Sequence, residues 1–478
     1  MEGRYSDTEV KALIAAALAP LLARVAQQDQ QLAAQRAQIA ALQAEVARLQ
    51  KNSANSSKPP SSDIVKPPRP PTPKGGARIG GQPGHPQHQR EDLPPEQVDQ
   101  FQTHVLERCP DCGGKVRRTK RIIQTLQQME LVACPVQVTE HQALRVWCPR
   151  CRRYHDTPLP EAVEKAGLLG PRLTALVGWF KSRGHDSYST MAEFLTDVAR
   201  RRVSRGLLAK AIQKVSAALA EPYGALTAAL VHQGRLNVDE TGHPENKKRM
   251  WTWVFRADDF TVFHIDPSRG SEVLVALLGE QFKGVLGCDY FSAYHKYMGD
   301  HHVLVQFCLA HLIRDLKFLT TLPQAVIVRW AQKMLAGMRR LFGVIHRRES
   351  MTPEKFQRAL AKARDVLLTR GKSGPAWAEV QNLVKRFREH GDAYFRFVTT
   401  PGIAPTNNLA EQALRFVVID RRLTQGTRSV RGRTWCQRIW TAAATCLQQG
   451  RSLFDYLSSA IHAYLAGRSA PSLLPSGP

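Results

Sequence analysis

A multidomain α/β chain is predicted by three observations. Acidic residues close short apolar runs in the second half, two Cys-x-x-Cys pairs precede them, and a heptad pattern opens the sequence. In chain order these give a helical coiled-coil segment over 1–51, a basic Pro/Gly/Ser linker over 52–100, a small zinc ribbon over 101–160, a helical domain over 161–233, an α/β catalytic domain over 234–425 and a helical basic region over 426–478. At 478 residues the chain exceeds what one core organises. Its net charge of +26 and pI of about 10.0 point to a polyanionic partner. The basic residues are dispersed and do not form one amphipathic face, which argues against a membrane surface. No apolar run approaches the roughly 20 residues of a membrane span, and Met1-Glu-Gly-Arg lacks signal-peptide character, so a cytoplasmic protein is expected. Nine cysteines in such a chain indicate metal ligands or buried thiols, not a disulfide framework.

The heptad pattern places Leu18, Val25, Leu32, Ile39 and Val46 on one core line and Leu21, Leu42 and Leu49 on the other, with Gln28 and Gln35 interrupting the second. β-Branched residues opposite Leu favour a two-stranded coil, and the two Gln weaken it. An amphipathic helix packed on its own protein would carry the same pattern; the length of the repeat favours dimerisation. The linker that follows is nearly empty of large apolar residues and cannot fold alone, while Lys58, Lys66, Arg69, Lys74 and Arg78 could track a DNA backbone or only solvate the segment.

Cys109-Pro-Asp-Cys112-Gly-Gly and Cys148-Pro-Arg-Cys151 have the spacing of a zinc ribbon, in which four thiolates surround one structural metal. Cys134, in an apolar run between them, reads as packing. Residues 168–233 are helical by periodicity. Within them 189–198 and 203–212 resemble a helix-turn-helix with Ser204 as the second cap, although an ordinary helical bundle gives the same pattern.

From Arg235 the periodicity changes. Strands are predicted at 236–239, 250–256 and 260–265, a helix at 271–278, a strand at 284–288, a helix at 290–297 and a strand at 303–307. Three sequential strands followed by helices and strands in alternation is the order of a ribonuclease-H-like fold. Asp239 and Asp289 then close neighbouring strands, and Glu411 lies one turn into a helix capped by Thr406 or Asn407. Three such carboxylates suit two magnesium or manganese ions and phosphoryl transfer. Glu240 would point to the opposite side of its strand. Cys308 and His311 offer two ligands, an incomplete site, and read as packing residues at a helix start.

These residues resemble the bacterial transposases of the insertion sequence 66 type along nearly the whole chain. The likeness rests on Asn55-Ser-Ser-Lys-Pro-Pro-Ser-Ser-Asp63, Gly80-Gly-Gln-Pro-Gly-His85, the Cys pairs, Val238-Asp-Glu-Thr, Cys308-Leu-Ala-His311 and Pro405-Thr-Asn-Asn-Leu-Ala-Glu-Gln-Ala-Leu-Arg415. It implies that Asp239, Asp289 and Glu411 are the catalytic triad of a DDE transposase, and that Cys109, Cys112, Cys148 and Cys151 hold zinc. It further implies double-stranded DNA (element ends and target) as partner, a bacterial nucleoid setting, self-association as a homodimer and accessory proteins of the element. The chain departs from the family pattern at Asp289-Tyr290-Phe291 and at Arg421-Arg422-Leu423. The long interval between Asp289 and Glu411 predicts a helical insertion at about 312–400. Arg415, Arg421, Arg422, Arg428, Arg431 and Arg433 are candidates for DNA phosphates, with a solvated basic face as the alternative. A nuclease of the same fold without strand transfer, or a catalytically inactive zinc-containing DNA-binding protein, would share much of this sequence.

Overall fold

The computed structural model describes residues 7–50, 93–119, 121–132 and 135–475. Most of the linker and Cys134 lie outside these. The described residues fall into two compact units, one made of 93–140 with 193–202, the other of the remainder. Among the described residues no helix is long and apolar enough to cross a membrane.

Helix α1, Asp7–Leu49, runs unbroken through Pro20. At about 1.5 Å per residue it is roughly 65 Å long, and its heptad residues are exposed, from Leu18 at 46% to Leu49 at 77%. Its end is tied by Arg48, whose Nη2 lies 2.6 Å from Glu379 Oε1. Further on, β1 (Arg145–Cys148) and β2 (Arg153–Asp156) form an antiparallel hairpin. Helices α2 (Glu161–Ala166), α3 (Pro171–Trp179), α4 (Tyr188–Asp197), α5 (Arg205–Ala218) and α6 (Ala220–Ala229) follow. Ser204 caps α5, its hydroxyl accepting from Leu207 N at 3.2 Å.

A five-stranded mixed sheet comes next, built from β3 (Arg235–Glu245), β4 (Lys248–Arg256), β5 (Thr261–Asp266), β6 (Val285–Cys288) and β7 (Leu304–Phe307) in the order β5-β4-β3-β6-β7. The β3–β4 and β4–β5 pairs are antiparallel, and β3–β6 and β6–β7 parallel. Helices α7 (Ser271–Leu278) and α8 (Ser292–His301) separate the last strands. Strand β3 is longer than its apolar run predicts. It leaves β6 after Asn237↔Gly287 but stays paired with β4 out to Glu245↔Lys248. Asp239 and Asp289 therefore both lie just past the point where β3 and β6 part.

Pleating sends Glu240 and Thr241 to opposite faces. Tyr294 of α8 reaches Glu240 on one face, and on the other α14 (Asn408–Thr424) reaches Thr241 through Arg421. The outer edge of the sheet is closed by α15 (Val430–Gln448). The N–H groups of Thr261, Phe263 and Ile265 donate to Thr445 Oγ1, Thr441 Oγ1 and Gln437 Oε1. Side chains four residues apart on one helix face thus satisfy an edge that would otherwise pair with another chain. The final helix α16 (Leu453–Leu465) packs on α3 and α5.

Between β7 and α14 the chain passes through α9 (Leu309–Leu319), α10 (Ala325–His346), α11 (Pro353–Gly371), α12 (Ala378–His390) and the short α13 (Arg396–Thr399). Buried Gln306 ties the return of this excursion to β7. Its Nε2 donates to Tyr394 O at 2.9 Å, and its Oε1 accepts from Phe397 N at 2.9 Å.

Candidate active site

Asp239 and Asp289 meet where β3 and β6 diverge. Burial, then Glu240, Asp289 and Glu411, push the Asp239 carboxyl well above the usual carboxylate range. Burial and Glu240 likewise raise Asp289 to about 7, against the opposing pull of Arg269. Both groups feel Glu411, so the three carboxylates occupy one electrostatic neighbourhood although they come from distant parts of the sequence. Two of their oxygens, Asp289 Oδ1 and Glu411 Oε1, are buried with no hydrogen-bond partner among the described residues. Buried, unpartnered carboxylate oxygens cost free energy until a proton or cation meets them.

Glu240 is differently placed. Its Oε1 accepts from Arg269 Nη2 at 2.7 Å and Nε at 2.9 Å, and its Oε2 accepts from the Tyr294 hydroxyl at 2.6 Å. It is fully engaged on the far face of the sheet, and its charge raises Asp239 and Asp289 without offering an open oxygen.

Glu411 is positioned by a linkage that sequence reasoning missed. Asn407 sits at the cap position of α14 but does not cap it. Its side chain, 1% exposed, reaches back to β3. Nδ2 donates to Val238 O at 2.8 Å, and Oδ1 accepts from Asn237 Nδ2 at 2.8 Å. The Asn407 N–H donates to Cys308 Sγ at 3.1 Å, and the Cys308 N–H donates to Cys288 O at 2.8 Å. The carbonyls immediately before Asp239 and Asp289 are thereby fixed to the residue that starts the Glu411 helix. Gly287 leaves the room this requires, since a Cβ there would lie 2.6 Å from Asn237 Nδ2.

Cys308 and His311 also acquire a third partner. The ligand atoms of Cys308, His311 and Glu411 lie within 4.8 Å of one another. His311 Nε2 is 3.8 Å from Glu411 Oε1, Arg314 Nη2 is 3.7 Å from Glu411 Oε2, and Arg314 Nη1 is 3.3 Å from His311 Nε2. Such a Cys/His/carboxylate set suits a transition metal, whereas the oxygens of Asp239, Asp289 and Glu411 suit magnesium or manganese. The missing signal was a contact about a hundred residues distant in sequence.

The six arginine candidates divide into two groups. Arg415, Arg422, Arg428 and Arg431 are exposed. Arg421 donates to Thr241 Oγ1 at 2.9 Å and to the Gly242 carbonyl, and Arg433 Nε lies 3.7 Å from Glu245 Oε2, so these two pin helices to β3.

The cysteine pairs fall in different units. In the first, Gly113 N donates to Cys109 O and Cys109 N to Gly114 O, both at 2.9 Å, with Gly113 at φ 71°. The N–H groups of Cys112 and Asp111 lower the Cys109 thiol pKa. In the second, Cys148 ends β1, and Cys151 together with the Arg150 N–H lowers its thiol pKa. Cys151 Sγ is 3.3 Å from His155 Nε2. Each turn favours thiolate at its first cysteine, as a metal knuckle requires.

No curated protein gives a significant match to the chain. A family of unknown function (DUF6444) matches residues 4–91. A second family model, described as Transposase IS66 family, matches residues 166–434, which takes in the whole mixed sheet, the three carboxylates and the helical excursion before α14. With more than half of its length under that model, the chain belongs to the IS66 family of transposases, enzymes that act on DNA.

Proposed function

We propose that the protein cleaves the ends of its own element and joins them to target DNA through Asp239, Asp289 and Glu411. The observation that carries this reading is the pair of buried oxygens without a hydrogen bond on Asp289 and Glu411 beside a carboxyl group, Asp239, that burial and like charge have made costly to ionise. These oxygen donors fit two magnesium or manganese ions, which when bound would supply charge to the attacking and leaving oxygens of an in-line displacement. Asp239 and Asp289 hold the scissile phosphate's surroundings from the two diverging strands. Glu411 closes them from the helix. The order β5-β4-β3-β6-β7 supports a ribonuclease-H-like catalytic domain, with α9–α13 as its helical insertion. A gel assay on labelled element ends tests the proposal: joined products are expected. Cleaved ends without joining would mark a nuclease, and a retarded band alone an inactive DNA-binding protein.

In this reading Cys109, Cys112, Cys148 and Cys151 hold one structural zinc. Cys109→Ser or Cys148→Ser would leave three ligands and unfold the segment, lowering DNA binding before chemistry begins. Elemental analysis should give one zinc per chain, and a metal-free preparation with full activity would end the idea. The exposed heptads of α1 serve a second copy of the chain. Removing residues 1–50 should shift the protein toward monomer in light scattering and impair paired-end complexes more than single-end binding. An unchanged mass would assign assembly to another surface.

A further inference from the structure

The β3–β4 hairpin carries charge that the reaction centre does not use. Its turn residues Asn246 and Lys247 have φ of 46° and 66°, the left-handed pair of a two-residue hairpin turn. Asn tolerates the first position. The second is a glycine position, and a lysine held there costs conformational energy that glycine would not. Asn246, Lys247, Lys248 and Arg249 are all exposed. The acid nearest in sequence, Glu245, is engaged elsewhere, accepting from Thr427 Oγ1 at 3.1 Å and facing Arg433.

This tip is braced. Asn246 N donates to Thr427 O at 2.9 Å, and Thr427 N donates to Pro244 O at 3.0 Å. Gly426, at φ 82°, lets the α14–α15 connection pass, because a Cβ there would collide with the Pro244 carbonyl. The exposed Arg428 directly follows the braced Thr427 in the chain. From Arg249 a ladder of cation–π contacts runs back along the Glu240 face of the sheet to Arg269. The Arg249 and Arg269 guanidinium carbons each lie 4.5 Å from the Trp251 ring centre, and that of Arg269 lies 3.8 Å from the ring of Phe291, two residues past Asp289. At about 3.3 Å per residue, β3 carries the tip roughly 20–25 Å from Asp239, or about six or seven base pairs of duplex at about 3.4 Å each.

We propose that the β3–β4 hairpin tip is a phosphate-binding arm that grips duplex DNA some six or seven base pairs from the reacting bond. The proposal rests on the catalytic reading for its position, and on the strained, braced, unneutralised cations for its chemistry. A rigid basic hairpin tip fits a regular phosphate backbone better than an acidic peptide.

The test is the salt dependence of binding to a mixed-sequence duplex, using the full-length chain without divalent metal. Lys247→Gly should raise the melting temperature while lowering the slope of log K against log[salt] by about 1. Lys247→Gly combined with Lys248→Gln and Arg249→Gln should lower the slope by about 2 to 3, and restoring a charge with Arg249→Lys should recover about 1. An unchanged slope in the folded triple variant overturns the proposal. A fall in melting temperature with Lys247→Gly also overturns it, since the lysine would then be structural. Metal-free binding is independent of cleavage, so a chain that binds but never cuts refutes the catalytic reading and leaves this result standing.

Discussion

Asp239→Asn, Asp289→Asn and Glu411→Gln should each reduce strand cleavage by about 10³-fold or more, with binding of element ends unchanged within a few fold. The neutral amides keep shape and leave the basic surface intact, but they remove the charge that a divalent ion requires. Near-normal turnover in any one variant would remove that residue from the site. The Asp289 variant should also behave unusually when metal is withheld. The folded-state value of Asp289 is about 7, against an ordinary value of 3.8. Between these pH values the folded chain retains a proton that the unfolded chain has released, so stability is lost as pH rises through that window and the deficit persists above it. Asp289→Asn has no such proton to lose. In chelator its melting temperature should therefore exceed that of the unaltered chain at pH 8, and the difference should shrink toward pH 5. Magnesium should raise the melting temperature of the unaltered chain more at pH 8 than at pH 5 and have little effect on the variant. A variant less stable than its parent at every pH would instead mean that Asp289 holds the fold together.

Much of the sheet was legible because buried strands and amphipathic helices have different apolar periods. The helix predicted at 271–278 coincides with α7, and the hairpin joined at Asp258-Asp259 is present as β4–β5. The continuation of β3 was hidden. Gly242, His243 and Pro244 break the apolar alternation, yet the segment is held extended by pairing with β4 on one side and by α14 on the other. Helix α8 begins at Ser292, two residues later than its predicted start, because Phe291, at its cap position, is extended at φ −95°, ψ 149°. Within the site, local pattern identified the carboxylates as candidates, since Asp239 and Asp289 end short apolar runs and Glu411 lies one turn into a recognisable helix. It could not identify what aligns them. Asn407 looks like a helix cap in sequence, and only the proximity of β3 diverts its amide to Val238 and Asn237. Arg421 looked like a free cation for the same reason: nothing in a helical repeat says which face will meet a strand.

Replacing Asn407 should produce the second largest effect on activity, and through position alone. Asn407→Ala deletes the hydrogen bond to Val238 O and leaves the half-buried Asn237 amide without its acceptor. Each stranded group costs about 1–3 kcal/mol, enough to lower the melting temperature by several degrees without unfolding the chain. The backbone N–H of residue 407 still meets Cys308 Sγ, so α14 should stay in place but lose its lateral register against β3. A shift of about 1 Å in a reacting group can cost about 10²-fold in rate, and a loss of that order is expected here. Because the carboxylates themselves remain, part of it should be recovered at high magnesium, with the half-saturating concentration raised. The carboxylate variants, lacking a ligand, should show no comparable recovery. Asn407→Asp separates position from polarity: it keeps the acceptor for Asn237, removes the donor to Val238, and adds a negative charge beside three others. It should therefore be less active than the alanine variant at low magnesium and gain more from added metal. If Asn407→Ala changed stability but left both the maximal rate and the magnesium dependence untouched, the amide would be a packing element and the alignment of Glu411 with Asp239 would have to come from Arg421 and the body of the helix.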